Sequence, residues 1–165
     1  MGLSTLPEPV SAAFCFAAPP EIDAHLRDAA NVYANTQAAE KILWRALTMD
    51  PQCLATYFSL YKFYFYKRLL REAEHAALLG LKTAAQQGGF SDDWTRLNAS
   101  SAAWTRVDGP QHFYLFTLKA LAFIRLRLER AEEARKILAK LEEIDPGDGV
   151  GASVIRDLAA SIPLS

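Results

Sequence analysis

The chain has 165 residues, a formal net charge of −1, 51% apolar residues and 22% charged ones. That length suits one domain whose core needs no staple, and the near-neutral charge provides no global field to hold nucleic acid. No stretch of about 18 uncharged apolar residues occurs, so the sequence offers nothing to span a membrane.

Residues 1–20 read as an irregular N-terminal arm. It lacks a positively charged start, carries Glu8, and is interrupted by Pro7, Pro9, Pro19 and Pro20, so it does not read as a secretory leader. Leu6 also breaks the myristoylation pattern. The expectation is a cytoplasmic protein whose Phe14 and Phe16 dock on the body. Cys15 and Cys53 form no CxxC and read as reduced, buried thiols.

Residues 21–165 read as a single helical domain. A first hairpin is expected over about 21–34 and 37–49, and a second over about 52–66 and 69–86, stopped by Gly88 and Gly89. The run "YFSLYKFYFY" is aromatic enough to favour a strand by propensity. It lacks turn-bounded alternation, and it is read as helix. An insertion follows over 88–112, opened by "GGF" and closed by "DGP". Within it "WTR" occurs twice, ten residues apart. Ser91 and Ser100–Ser101 can each cap a helical turn, so two short helices carrying Trp94 and Trp104 are expected. A third hairpin is expected over about 111–128 and 131–144, and a capping helix over about 152–161. Asp50–Pro51 and Asp145–Pro146 read as starts of new helices.

The chain repeats itself. At an offset of 34, Ala39 aligns with Ala73, Leu43 with Ala77, Ala46 with Gly80 and Pro51 with Ala85. At an offset of 61, Ala73 aligns with Ala134, Tyr57 with Leu118, Leu60 with Leu121 and Tyr61 with Ala122. The third copy is the same unit displaced by the insertion. Small residues at Ala39, Ala73 and Ala134 let two helix backbones approach where they cross. This pattern resembles the tetratricopeptide repeat (TPR) over roughly 20–51, 52–87 and 113–147. The family's helix-A string appears as Tyr57, Leu60, Tyr61 and Tyr64, then as Leu118, Leu121, Ala122 and Arg125. In the first copy it has decayed to Asp23, Leu26, Arg27 and Ala30. The resemblance implies an all-α fold: a short TPR-like solenoid of three antiparallel hairpins, with a two-helix insertion and a C-terminal cap.

Signals for chemistry are thin. His25, His75 and His112 are scattered, and neither HExxH, GxSxG nor a phosphate loop after a strand occurs. His25 and Asp28 share a helical face but read as a solvated pair. Glu132, Glu133, Glu142 and Glu143 read as a charged outer face paired with Arg135, Lys136 and Lys140. No catalysis, metal or cofactor is expected.

Binding signals are stronger. In stacked hairpins the first helices line the concave side. Their stripes away from the core are Phe58, Lys62, Phe65 and Tyr66 in the second hairpin, and Phe116, Lys119, Phe123 and Arg127 in the third. Helices are normally polar there. Such aromatic–basic stripes can take an amphipathic or acidic segment of another protein. Alternatively, the arm, the insertion or a neighbouring helix covers them. Trp94 and Trp104, with Arg96 and Arg106 beside them, either fill the gap left by the displaced repeat or form a second binding edge. "YKFYFYKRLLR" interleaves aromatics and cations as single-strand binders do. "REAEH" follows at once, and nucleic acid is not the reading taken.

The sequence-level reading is a non-catalytic interaction module, an accessory or assembly factor. The alternative is a small-molecule or lipid-binding helical protein with an aromatic-lined pocket. The stretch "DDWTRL…WTRVDGPQHFYLFTLKALAFIRLRL" resembles small TPR-like proteins encoded with bacterial nitrogen-fixation genes. That resemblance covers the insertion and third hairpin, and no cluster-ligand cysteines accompany it. It implies docking on the nitrogenase molybdenum–iron protein or an assembly intermediate, without carrying metal.

Overall fold

The computed structural model describes residues 16–163. Phe14 and Cys15, for which docking and burial are expected, lie outside them. Among the described residues there are seven α-helices, one 3-10 turn and no strand. The helices are α1 (Pro20–Asn31), α2 (Thr36–Met49), α3 (Leu54–Tyr66), α4 (Leu70–Gly88), α5 (Gly109–Arg127), α6 (Ala131–Ile144) and α7 (Ala152–Ala160). The aromatic run in α3 is helical because its side chains find cover on nearly every side. Ala55, Thr56, Tyr57, Leu60, Tyr61, Phe63, Tyr64 and Phe65 are all buried. A helix apolar all round belongs in an interior.

Local chemistry sets the ends. Proline occupies the first turn of α1 and of α5, where the missing N–H costs nothing. Asn35 caps α2 by accepting from the Ala38 amide at 3.1 Å. Gly89 ends α4 in the left-handed conformation, φ 74°, and the Gly89 and Phe90 amides both return to the Ala85 carbonyl. Two further turns are geometric copies. Arg68 and Glu129 both have φ 62°, after α3 and α5 respectively. The next amides, Leu69 and Arg130, both reach back to the carbonyls of Tyr64 and Arg125 at 2.9 Å. These positions are related by the same 61-residue offset found in the sequence.

Consecutive helices pack as pairs: α1 on α2, α3 on α4, α5 on α6, with α4 lying extensively against α5 and α7 closing over α6. Ala39, Ala73 and Ala134 each have no exposed surface. A β-carbon at Gly80 would stand 3.0 Å from the Tyr57 β-carbon and 3.1 Å from the Phe113 ring. Here α4 passes close to both α3 and α5, and a larger side chain would overpack the crossing.

A partly buried ion cluster ties the later helices together. Glu74 of α4 accepts from Arg125 of α5 and from Arg130, each at 2.8 Å, and Arg130 also pairs with Glu133. Burial raises the Glu74 carboxyl, but hydrogen bonds from Arg125 and Arg130 outweigh it and hold the group below its ordinary value.

Three expectations need correction. The insertion does not contain two helices: it has one 3-10 turn, Trp94–Arg96, and Trp104 sits in irregular turns. Asp93, not Ser91, caps that turn, accepting from the Thr95 amide at 3.0 Å. Ser101 uses its hydroxyl on the Asn98 amide, 2.9 Å, which closes a loop instead of starting a helix. The Asp–Pro pairs also open turns. Asp50 accepts from the Gln52 amide at 3.1 Å, and α3 begins only at Leu54. Asp145 accepts from the Gly149 and Val150 amides, and α7 waits until Ala152. In both cases the carboxylate finds nearer amides in a turn than in a helix.

Candidate functional site: an aromatic face across three helices

The stripes expected to line the concave side do face one another. Phe58, Lys62, Phe65 and Tyr66 of α3 and Phe116, Lys119 and Phe123 of α5 border a single cleft, with Tyr61, Ala120 and Ile124 at its floor. Arg127 is not part of it; it is exposed near the end of α5.

That cleft is nearly shut. Its volume is about 30 Å³, on the order of one or two water molecules. Ring contacts fill it: Phe58 on Phe116 at 5.9 Å and Phe65 on Phe123 at 5.3 Å. Phe65 and Phe123 are buried. Phe16 plugs one end, its ring 5.6 Å from Phe58, 5.9 Å from Phe116 and 5.0 Å from Phe113. The sequence placed this phenylalanine on the body, and there it is.

Lys119 is the unexpected member. It is only 5% exposed. Its Nζ lies 4.5 Å from the centre of the Phe116 ring and donates to the Val150 carbonyl at 2.6 Å. The ammonium is therefore turned toward the loop that leads into α7. Burial pushes its pKa down to about 8, against the pull of Asp148 and Asp145. Sequence pattern alone gave no sign of this, because a lysine at a stripe position normally snorkels to water.

A second depression lies on the other side of α3 and is open. Leu26, Ala29, Ala30 and Tyr33 of the α1 side face Phe58, Ser59, Lys62, Phe63 and Tyr66 of α3 across a groove of about 440 Å³, with Leu43 of α2 below. Among the described residues no acidic side chain lines it. One end is fixed by Lys67, whose Nζ sits 3.9 Å over the Tyr33 ring, and by the edge-on contact of Tyr33 with Phe63 at 5.9 Å. Tyr33 remains 41% exposed. Beneath this side, Tyr64 donates to Glu40 at 2.6 Å and accepts from the Trp44 indole at 2.7 Å, locking α2 to α3. Burial pushes the Tyr64 hydroxyl up to about 12. Sequence reasoning missed the α1 half of this groove: it read Asp23, Leu26, Arg27 and Ala30 as a degenerate string and gave Ala29 and Tyr33 no role.

The insertion lies apart from both depressions. Trp104 is buried, donates to the Asn98 carbonyl at 2.9 Å, and packs 5.0 Å from Phe90 and 6.1 Å from Tyr114. Trp94 is half-buried against the core. Lys140 of α6 donates to the Leu97 carbonyl at 2.6 Å and holds the segment down. Arg96 and Arg106 are exposed, and Arg106 pairs with Asp108 at 3.2 Å on the surface. The two tryptophans thus fill space beside α4, α5 and α6, and neither lines the aromatic face.

Other sequence candidates fall into place simply. His25 donates from Nδ1 to the Glu21 carbonyl of its own helix at 3.0 Å. Glu132 pairs with Arg135 and Glu143 with Lys140 on the outer face of α6. Among the described residues no three His, Cys, Asp or Glu side chains are grouped to hold a metal ion, and no helix is long and apolar enough to cross a membrane.

Comparison with known proteins gives one informative likeness. No family model and no solved structure matches the chain. A relative from Azotobacter chroococcum mcd 1, the "uncharacterized 19.8 kDa protein in nifW 5'region", is 30% identical over 134 residues, covering 80% of this chain and 75% of the relative. With likeness of that extent over most of both chains, this protein belongs to the family of the Azotobacter nifW-region protein.

Proposed function

We propose that this chain is a TPR-like interaction module that serves nitrogen fixation as an accessory or assembly factor, with no catalysis of its own. It binds another protein, a nitrogenase component or an assembly intermediate, through the groove between α1 and α3. The carrying observation is that groove: about 440 Å³, mostly apolar and lined, among the described residues, by no carboxylate. Apolar anchors of a partner segment would enter beside Leu26 and Ala30 of α1. The paired helices, the buried alanines and the copied turns at Arg68 and Glu129 support the repeat reading. The nifW-region location of the Azotobacter relative supports the link to nitrogen fixation.

The small-molecule reading is less well supported. The aromatic-lined cleft holds about 30 Å³, against roughly 300–1,000 Å³ for ordinary ligand pockets.

Affinity purification of the tagged full chain from its nitrogen-fixing host, beside the variant Ala30→Trp, tests the proposal. Ala30 is exposed on α1 and lines the groove, so tryptophan there fills the groove from its rim. A nitrogen-fixation protein captured by the native chain and lost with Ala30→Trp is the expected result. Equal capture by both would overturn the groove.

A further inference from the structure

Helix α7 and the loop before it are lightly tied to the body. The segment buries Val150, Ala152, Ile155 and Ala159, two of them alanines, and leaves Val154, Leu158 and Ile162 exposed. Its polar side chains bond within the segment: Asp145 accepts from the Gly149 and Val150 amides, and Asp148 from Ser153. Among the described residues, two cations of the body reach it, each through a backbone carbonyl. Arg135 of α6 donates to Ala159 and Ile162, at 3.0 and 2.9 Å, and Lys119 of α5 donates to Val150 at 2.6 Å. The two ties differ. The Arg135 side chain is 27% exposed and also pairs with Glu132. Lys119 is buried, and among the described residues the Val150 carbonyl is its one hydrogen-bond acceptor. An ammonium has three N–H donors. Closing the loop over it strips water from the other two, with the Phe116 ring, 4.5 Å from Nζ, as partial compensation. The bond that holds the loop therefore carries a cost that opening relieves.

We propose that α7, with the loop over 145–151, is a detachable cap and that Lys119 is its latch: the segment leaves the body and returns the ammonium to water while α1–α6 stay folded. Segments with few buried apolar contacts open at lower free energy than the whole molecule. The latch also gives opening a pH dependence. Closed, Lys119 has its pKa lowered by burial to about 8; open, it returns to about 10.4. Between those values the open form binds more protons, so the opening constant falls by up to about tenfold per pH unit as pH rises. The groups facing Lys119 are Asp145 and Asp148 of the loop, with Arg156 of α7 3.9 Å from Asp148, His112 of α5, and Tyr61, Lys62 and Tyr66 of α3 across the cleft. Burial holds the His112 ring below its ordinary value and the Tyr61 hydroxyl above its own, so neither gains charge in this window.

The test is thiol labelling of Ala159→Cys in the full chain with Cys15→Ser, between about pH 7 and about pH 9.5. Each rate is divided by that of an unfolded peptide carrying the same cysteine at the same pH. Cys53 is buried, and the Cys15→Ser chain without an added cysteine gives its share. Ala76→Cys in α4, at a position with no exposed surface, reports opening of the whole molecule. The expected result is that Ala159→Cys reacts about 100-fold faster than Ala76→Cys, or more, at neutral pH. Its advantage should shrink above about pH 8 by up to about tenfold per unit, and Lys119→Met should make it independent of pH. Equal protection of the two cysteines would show that α7 leaves only when the whole fold does, and would overturn the cap. A pH dependence that is absent from the native lysine, or that survives Lys119→Met, would overturn the latch. Hydrogen exchange at the Leu158 amide against the Ala77 amide, in the chain without substitutions, makes the same comparison with native packing: equal protection there also overturns the cap.

Discussion

The two sides of α3 make an instructive pair. Phe58, Lys62 and Tyr66 face both depressions, yet one is a closed seam of about 30 Å³ and the other an open groove of about 440 Å³. The difference lies in what stands opposite. Helix α5 brings Phe116 and Phe123 to the seam, and rings meet rings at 5.3–5.9 Å. Helix α1 brings Leu26, Ala29 and Ala30, none of them a ring, and the two alanines leave a trough. The aromatic content of a stripe does not say whether it is a docking surface; the size of the residues across from it does.

Substitutions on the closed side should be costly. Phe123→Ala removes a buried ring from the seam and should lower the unfolding free energy by about 3–5 kcal/mol in urea titrations. A loss near zero would mean the seam is not packed. Glu74→Ala leaves Arg125 and Arg130 without their shared carboxylate. The expected loss is about 2–3 kcal/mol, below the 3–5 typical of a fully buried pair because Arg130 is partly exposed. Since the Glu74 carboxyl titrates below its ordinary range in the folded chain, its contribution is present above that range and lost as pH falls. The destabilisation by Glu74→Ala should therefore shrink in acid.

Lys119 gives the seam a signature at the other end of the pH scale. Its folded pKa is about 8, against about 10.4 for an unfolded lysine. Between those values the unfolded chain binds more protons, so stability from this site rises with pH. The native chain should gain on Lys119→Met between pH 8 and 10, read as the difference in their urea midpoints. A constant difference would place the ammonium in water.

How much of this was legible in the sequence follows from the same contrast. Helical pairs could be read because Ala39, Ala73 and Ala134 recur with the repeat, and only small residues fit where backbones cross. The facing of α3 and α5 was legible from helical spacing. Its closure was not, because spacing says which way Phe65 and Phe123 point and not how near the next helix lies. Nor was the groove's second wall, since Ala29 and Ala30 carry no signal until a neighbour defines the space beside them. The insertion misled for a different reason. Serine, aspartate and asparagine satisfy backbone amides in turns as well as at helix starts, so a cap-like spelling does not decide between them.

On the open side the expected stability effects are smallest. Ala30→Trp adds bulk at an exposed position and should move stability by no more than about 0.5 kcal/mol, while closing the groove to a partner. A large drop in melting temperature would show that the groove is less open than described.

The most direct test of the central claim is site-specific photocrosslinking in nitrogen-fixing cells, with the photoreactive residue at position 30 in the groove or at position 136 on the outer face of α6. An adduct with a nitrogen-fixation protein from position 30 and none from position 136 is the predicted result. Adducts from position 136 alone, or from both alike, would contradict the assignment of the α1–α3 groove as the docking surface.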